Sequence, residues 1–158
     1  MEDFIFHNPT KIIFGRGKIA ELGREIEPFG KRVLFVYGQG SIRENGIYDQ
    51  VVRSLEGRSI HRLELPGVRS NPVLSRVYEG IEAARREKVD VLLAVGGGSV
   101  MDTAKAIAAG VPADHDVWDF FLFRKTVERA LPVFTVPTVS ASASEMNGAA
   151  VITKEEGA

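Results

Sequence analysis

The sequence predicts an α/β domain built on a mostly parallel sheet with helices on both faces. Three observations carry that expectation. Residues 33–37 and 89–95 are apolar runs rich in β-formers, the second broken only by Asp90. Such runs suit strands buried on both faces. Between them lie stretches with apolar residues three and four apart, the spacing of amphipathic helices. The connections are short and glycine-rich, so strand and helix alternate, which implies right-handed crossovers and parallel strands.

Taken in chain order, residues 4–6 and 11–14 are short β-like runs around Asn8-Pro9-Thr10, which predicts an N-terminal β-hairpin. Ile19, Leu22 and Ile26 share a helical face that ends near Pro28 and Gly30. The strand at 33–37 empties into Gly38-Gln39-Gly40-Ser41, and Ile47, Val51, Val52 and Leu55 mark the next helix. Residues 60–65 alternate apolar and polar until Pro66-Gly67 breaks them. Asn71-Pro72 opens a helix with Val73, Leu74, Val77, Ile81 and Ala84 on one face. Gly96-Gly97-Gly98-Ser99 ends the strand at 89–95, and a small-residue helix is expected to begin at Ser99 and run to Ala109. Trp118, Phe120 and Phe121 are expected to cover apolar surface. Residues 133–136 form a last central strand, and residues 149–153 read as one arm of a closing hairpin. No repeat or low-complexity tract interrupts the order.

Composition narrows the function. A length of 158 residues suits one domain. Twenty Lys and Arg against 21 Asp and Glu leave a net charge of −1, with no basic patch to hold a nucleic acid or an anionic membrane. Without cysteine there is no disulfide, no thiolate metal site and no thiol nucleophile. The acidic start lacks the basic and apolar regions of a secretory leader, so a cytoplasmic location is expected. His7, His61 and His115 are far apart and form no H-E-x-x-H pair, and no serine sits in a G-x-S-x-G elbow.

The chemistry concentrates in the three turns that follow the buried strands. At residues 91–105 a strand runs into three glycines and then a helix. Glycines let backbone N–H groups approach a ligand, and a helix start adds free donors and a positive dipole end, a combination suited to phosphate. A tight turn with Ser99 as a plain cap explains the same residues without a ligand. Asp102 in the first turn is read either as a dipole partner or as a carboxylate facing the cleft. Lys105 reads as a structural or solvated helix residue. The turn at 38–41 carries no acid to bind an adenosine ribose and repel a 2′-phosphate, and Arg43 follows it. An ordinary glycine turn explains the same residues; as a cofactor turn, its room at Gly38 and mild positive charge predict that NADP binds at least as well as NAD. The hydroxyls of Thr138, Ser140, Ser142 and Ser144 after the last strand can donate to a pyrophosphate or amide.

Together, Phe14-Gly15, the Gly96-Gly-Gly-Ser-x-x-Asp-x-x-Lys105 segment, and Pro137-Thr138 with Ser144-Glu145 resemble the iron-containing alcohol dehydrogenase family. The Tyr37-Gly-x-Gly-Ser41 turn and the Glu145-Met-Asn continuation are similar to its butanol dehydrogenase-like branch. The resemblance implies a Rossmann-like domain binding NADP or NAD, spanning residues 1–158, in an oxidoreductase acting on a primary alcohol or aldehyde. By motif it places cofactor contacts on Gly38, Gly97, Gly98, Ser99, Asp102, Thr138 and Ser142. It implies an iron or zinc ion held by one Asp and three His of a C-terminal helical domain. The chain is expected to stop before those ligands and to be inactive alone, as a fragment, a truncated product or half of a split enzyme. No catalytic residue is expected within it, and homo-oligomerisation is left open. The sequence departs from the family's Thr-Gly-Ser-Glu at Ser142-Ala143-Ser144-Glu145. Two other readings share these residues: a non-catalytic nucleotide-binding module, and the phosphate-binding domain of an enzyme like glycerol dehydrogenase or dehydroquinate synthase.

Overall fold

Strand β1 (Arg32–Tyr37) is buried at every residue but its first, and in the computed structural model, which describes residue 5 and residues 7–155, it lies inside the sheet. On one side it pairs with β2 (His61–Leu65), on the other with β3 (Val91–Gly96). Strand β4 (Val133–Pro137) pairs with β3, giving the order β2-β1-β3-β4 with every pairing parallel.

Alternation along the strands creates two cores. Val33, Phe35 and Tyr37 with Val91, Leu93 and Val95 face one side. There they meet α1 (Leu22–Ile26), α2 (Ser41–Glu44) and α3 (Ile47–Glu56) through Leu22, Ile26, Ile42, Val51 and Leu55. Leu34, Val36, Leu92 and Ala94 face the other side. They meet α4 (Leu74–Arg86) through Leu74, Val77 and Ile81, and α5 (Gly98–Gly110) through Met101, Ala104 and Ile107. The expected layering is therefore observed. The small residues Ala104, Ala106, Ala108 and Ala109 are all buried, which lets α5 lie close to the sheet.

The segment after α5 is fastened by polar contacts. Arg85 donates to the carbonyls of Gly110, Val111 and Ala113 at 2.8, 3.0 and 2.7 Å, setting a cation on the negative end of α5. The Tyr78 hydroxyl donates to Asp116, whose Oδ1 also accepts the Trp118 N–H at the start of α6 (Trp118–Phe121). Trp118, Phe120 and Phe121 pack on the α4–α5 core as expected.

Among the described residues neither expected hairpin is seen. Phe4 and Phe6 lie outside the described residues, while residues 11–14 are described and form no strand, with Phe14 95% exposed. An apolar run is not enough for a strand, because its N–H and C=O groups also need a partner chain. This segment is fastened by side chains instead, through Lys11 to Glu25 and Asn8 to the Met146 carbonyl. Residues 149–153 contribute a single parallel bridge, Thr153 with Val73. Helix α5 begins at Gly98, one residue early, so Gly97 is its cap and Ser99 lies inside its first turn.

Burial, then the hydrogen bond to Asp116 and that residue's charge, push the Tyr78 phenol up to about 12. An acid raised in the folded state contributes stability that is whole below the unfolded value near 10 and is lost as pH climbs through the folded one. Tyr78→Phe is therefore expected to be less stable than the parent at pH 8, with the gap closing between pH 10 and 12. Urea unfolding across that range checks it; a gap of constant size would show that this phenol does not couple to folding.

Candidate functional site

The strand order reverses at the centre of the sheet. From β1 the chain crosses to β2 on one side, and β3 sits on the other. In open parallel sheets the crevice beyond the carboxyl ends at such a reversal is where ligands bind. The pairing Tyr37 with Val95 and Gly96 with Pro137 brings the turns after β1, β3 and β4 out at nearly one level. The Thr138 N–H extends the ladder to the Gly96 carbonyl at 3.0 Å, and the Gly67 N–H ties the end of β2 to the Gly38 carbonyl at 3.1 Å.

Of the three, the turn after β3 is built most clearly for an anion. The N–H groups of Val100 and Met101 donate to the Gly97 carbonyl at 3.1 and 3.2 Å, closing the first turn of α5. Those of Gly98 and Ser99 have no acceptor among the described residues. They stand at the positive end of a 13-residue helix with no capping side chain. A side chain on Gly97 would meet nothing within 4 Å, so this face is open. A Cβ on Gly98 would fall 2.6 Å from the Ser142 hydroxyl. Glycine at 98 thus lets the hydroxyl-rich loop after β4 lie against the helix start. Gly97, Gly98, Ser99, Thr138 and Ser142 are brought together.

Asp102 and Lys105, one turn further along α5, hold that loop from beneath. Asp102 Oδ1 accepts the Ser144 hydroxyl at 2.6 Å and Oδ2 accepts the Val151 N–H at 3.1 Å. Lys105 Nζ sits 3.3 Å from Asp102 and donates to the Ser144 carbonyl at 2.9 Å, to Asn147 Oδ1 at 3.2 Å, and to the Ala149 carbonyl. Burial draws the Lys105 ammonium below the usual lysine range, and Asp102 works against that. The structural reading of Lys105 holds, and Asp102 has a role beyond a dipole partner. Ser144 and Asn147 are not singled out as anchors by the sequence; their polarity in a post-strand loop and their place in the family-like segment are the signals it carries.

Gly38 lies apart from this group, at the end of β1. A side chain there would meet only the Val68 carbonyl at an ordinary 3.6 Å, so the expected room exists. The expected free positive charge does not. Arg43 donates to the Tyr37 hydroxyl at 2.7 Å and to Glu64 at 3.2 Å, and stacks over the Tyr48 ring at 3.9 Å. Glu64 is buried enough to raise its carboxyl, but hydrogen bonds from Tyr48, Tyr37 and Arg62 outweigh that and hold it low. Burial, then the bond to Glu64, push the Tyr37 phenol up. Glu64 was not anticipated, because it reaches this cluster only through the pairing of β1 with β2.

Among the described residues no group of three His, Cys, Asp or Glu is placed to hold a metal ion. His115 is occupied locally, its Nδ1 2.9 Å from the Asp116 carbonyl and its ring edge-on to Phe120. No helix in the described residues is long and apolar enough to cross a membrane.

Known proteins match the whole of this arrangement. The family model for iron-containing alcohol dehydrogenase matches residues 9–158. A probable NADH-dependent butanol dehydrogenase 2 of Bacillus subtilis is 53% identical across 99% of this chain, and the NADPH-dependent aldehyde reductase YqhD of Escherichia coli 40% identical across 98%. The crystal structure of NADH-dependent butanol dehydrogenase A from Thermotoga maritima superimposes with a TM-score of 0.96 at 56% identity over 99% of the chain. The chain spans about 40% of the length of the curated relatives it matches.

Ala143, between Ser142 and Ser144, adopts the left-handed conformation at φ 50° and ψ 24°. A Cβ there costs about 1–2 kcal/mol, and glycine returns part of that as unfolded-state entropy. Ala143→Gly is expected to stabilise the chain by about 0.5–1 kcal/mol. Chemical denaturation measures it, and a destabilised variant would show that this backbone carries no strain.

Proposed function

The chain belongs to the iron-containing alcohol dehydrogenase family, and on that premise we propose that it is the nicotinamide-dinucleotide-binding part of an alcohol dehydrogenase acting on a small primary alcohol such as butanol and its aldehyde. The observation that carries the proposal is the start of α5. Two backbone N–H groups with no partner among the described residues, an uncovered Gly97 and the Ser142 hydroxyl meet there at the crevice where the sheet reverses. A pyrophosphate matches that set in charge and donor geometry.

In this reading the N–H groups of Gly98 and Ser99 hold the pyrophosphate. Ser142 and Thr138 add hydroxyl donors beside it, and Gly38 lies under the adenosine ribose. The bound nicotinamide supplies the acceptor or donor for hydride transfer. The chain's own residues bind it, orient it and keep one side of it from water. The substrate class rests on the activities of the relatives. The family's iron finds no ligand set among the described residues.

Three measurements bear on the proposal. Calorimetric titration of the chain with NADH and NADPH is expected to give weak binding, with the two within about tenfold, since Gly38 leaves room and Arg43 is neutralised. No heat and no melting shift at millimolar concentrations of either would remove the dinucleotide reading. Gly38→Asp is expected to disfavour NADPH by about tenfold or more through charge repulsion, sparing NADH. Equal effects on both would move the ribose away from this turn. A butanol and butyraldehyde assay on the chain alone is expected to show no turnover, and measurable turnover would place catalysis within these residues.

A further inference from the structure

Several features have no part in the binding just described: the Glu64 cluster, the cleft between Pro66 and Arg76, the exposed Phe14, and the Asp102–Lys105 pair. The last carries an argument furthest, because its contacts name what it does.

Lys105 is an ammonium with three donors, set 16% exposed beside a carboxylate 15% exposed. Its partners besides Asp102 are the backbone carbonyls of Ser144, Asn147 and Ala149 and the Asn147 amide oxygen. No donor remains for a ligand. Asp102 is tied to the same segment. One oxygen takes the Ser144 hydroxyl and the other the Val151 N–H, the two sides of the same loop. Between those anchors the chain passes through the strained Ala143, whose carbonyl accepts from Met146 N–H and from Asn147 Nδ2, both at 2.9 Å. Ser142, one residue before it, lands against Gly98.

We propose that Asp102 and Lys105 are positioning residues that clamp the loop after β4 so that Ser142 stands over the start of α5, and that neither touches the cofactor. The proposal rests on the dinucleotide reading above and gives Asp102 a different role from the cofactor contact that the sequence resemblance implies. Asp102 acts through Ser144 and the loop rather than on a ribose or the nicotinamide. A helix is the stiffest element at the cleft, so a loop bolted to it inherits its precision. Losing Lys105 would leave the Ser144 and Ala149 carbonyls without their donor and Asp102 without its counter-charge.

The test compares Lys105→Met, Lys105→Arg and Asp102→Asn in this chain, by amide hydrogen exchange resolved by residue and by NADH and NADPH titration. Lys105→Met is expected to speed exchange of the amides at 144–151 at least tenfold. The amides of β1 and β3 should stay protected, and dinucleotide Kd should rise about tenfold or more. Lys105→Arg, whose guanidinium can still bridge carbonyls, should recover both to within about threefold. Asp102→Asn should mobilise the loop and weaken binding together, and it decides the matter if Lys105→Met does not fold. Weakened binding with an unmoved loop would make Asp102 a direct contact and overturn the clamp. A mobilised loop with unchanged Kd would overturn its link to the cofactor. If the unaltered chain binds neither dinucleotide while the loop responds as expected, the dinucleotide reading fails, and the positioning role goes with it although the clamp itself stands.

Discussion

Everything else in this domain depends on β1 being hydrogen-bonded on both edges and buried on both faces. A strand so placed can expose no backbone polar group and no side chain to water, so helices must cover each face. Val33, Leu34, Phe35 and Val36 are all fully buried, alternating between the two cores. Each contributes about 1.5–3 kcal/mol by removal from water. Pairing with β2 on one side and β3 on the other also forces the connections to diverge at the carboxyl ends. The crevice is therefore what remains when a central parallel strand is satisfied, and the site is a consequence of the core.

Within the crevice the labour is divided by stiffness. Helix α5 supplies donors whose positions are set by its own hydrogen bonds, and the loop after β4 supplies hydroxyls that need outside support. That support is polar and largely removed from water, which is costly unless every group is paired. Ser144, a buried polar residue, is paired at both its hydroxyl and its carbonyl. The Glu64 cluster follows the same rule at the other end of the crevice, where one carboxylate accepts from two tyrosines and two arginines.

What the sequence makes legible here is what depends on neighbours along the chain. The buried strands, the amphipathic helices and the glycine turns are all local patterns, and all appear within a residue or two of where they are expected, although the last strand, expected at the centre, pairs only with β3 and stands at the sheet's edge. What meets across the fold is not legible in the same way. Arg43 and Glu64 are 21 residues apart and meet through strand register, and Lys105 finds acceptors 39 to 44 residues away. The residues at 11–14 have the composition of a strand, but composition cannot supply the partner a strand requires. The strand order, which places the crevice, is a property of pairing and leaves no mark in any single segment.

Backbone strain points to the same loop by an independent route. Five residues other than glycine take positive φ among the described residues: Ser59, Asn71, Lys88, Phe123 and Ala143. Three of them end helices. Ile60 N–H bonds the Leu55 carbonyl, Val89 N–H that of Ala84, and Arg124 N–H that of Asp119, each spanning five residues around the left-handed position. That bond satisfies helix-terminal carbonyls and offsets the strain. Asn71 is a residue type that tolerates the region. Ala143 has neither reason: it follows no helix, and its side chain makes no local hydrogen bond. Strain of this kind persists only where the surroundings over-determine it, and the surroundings here are Lys105, Asp102 and Asn147. The unfavourable backbone, the half-buried ion pair and the glycine that admits Ser142 all act on one short stretch of chain, which is the stretch that faces the start of α5.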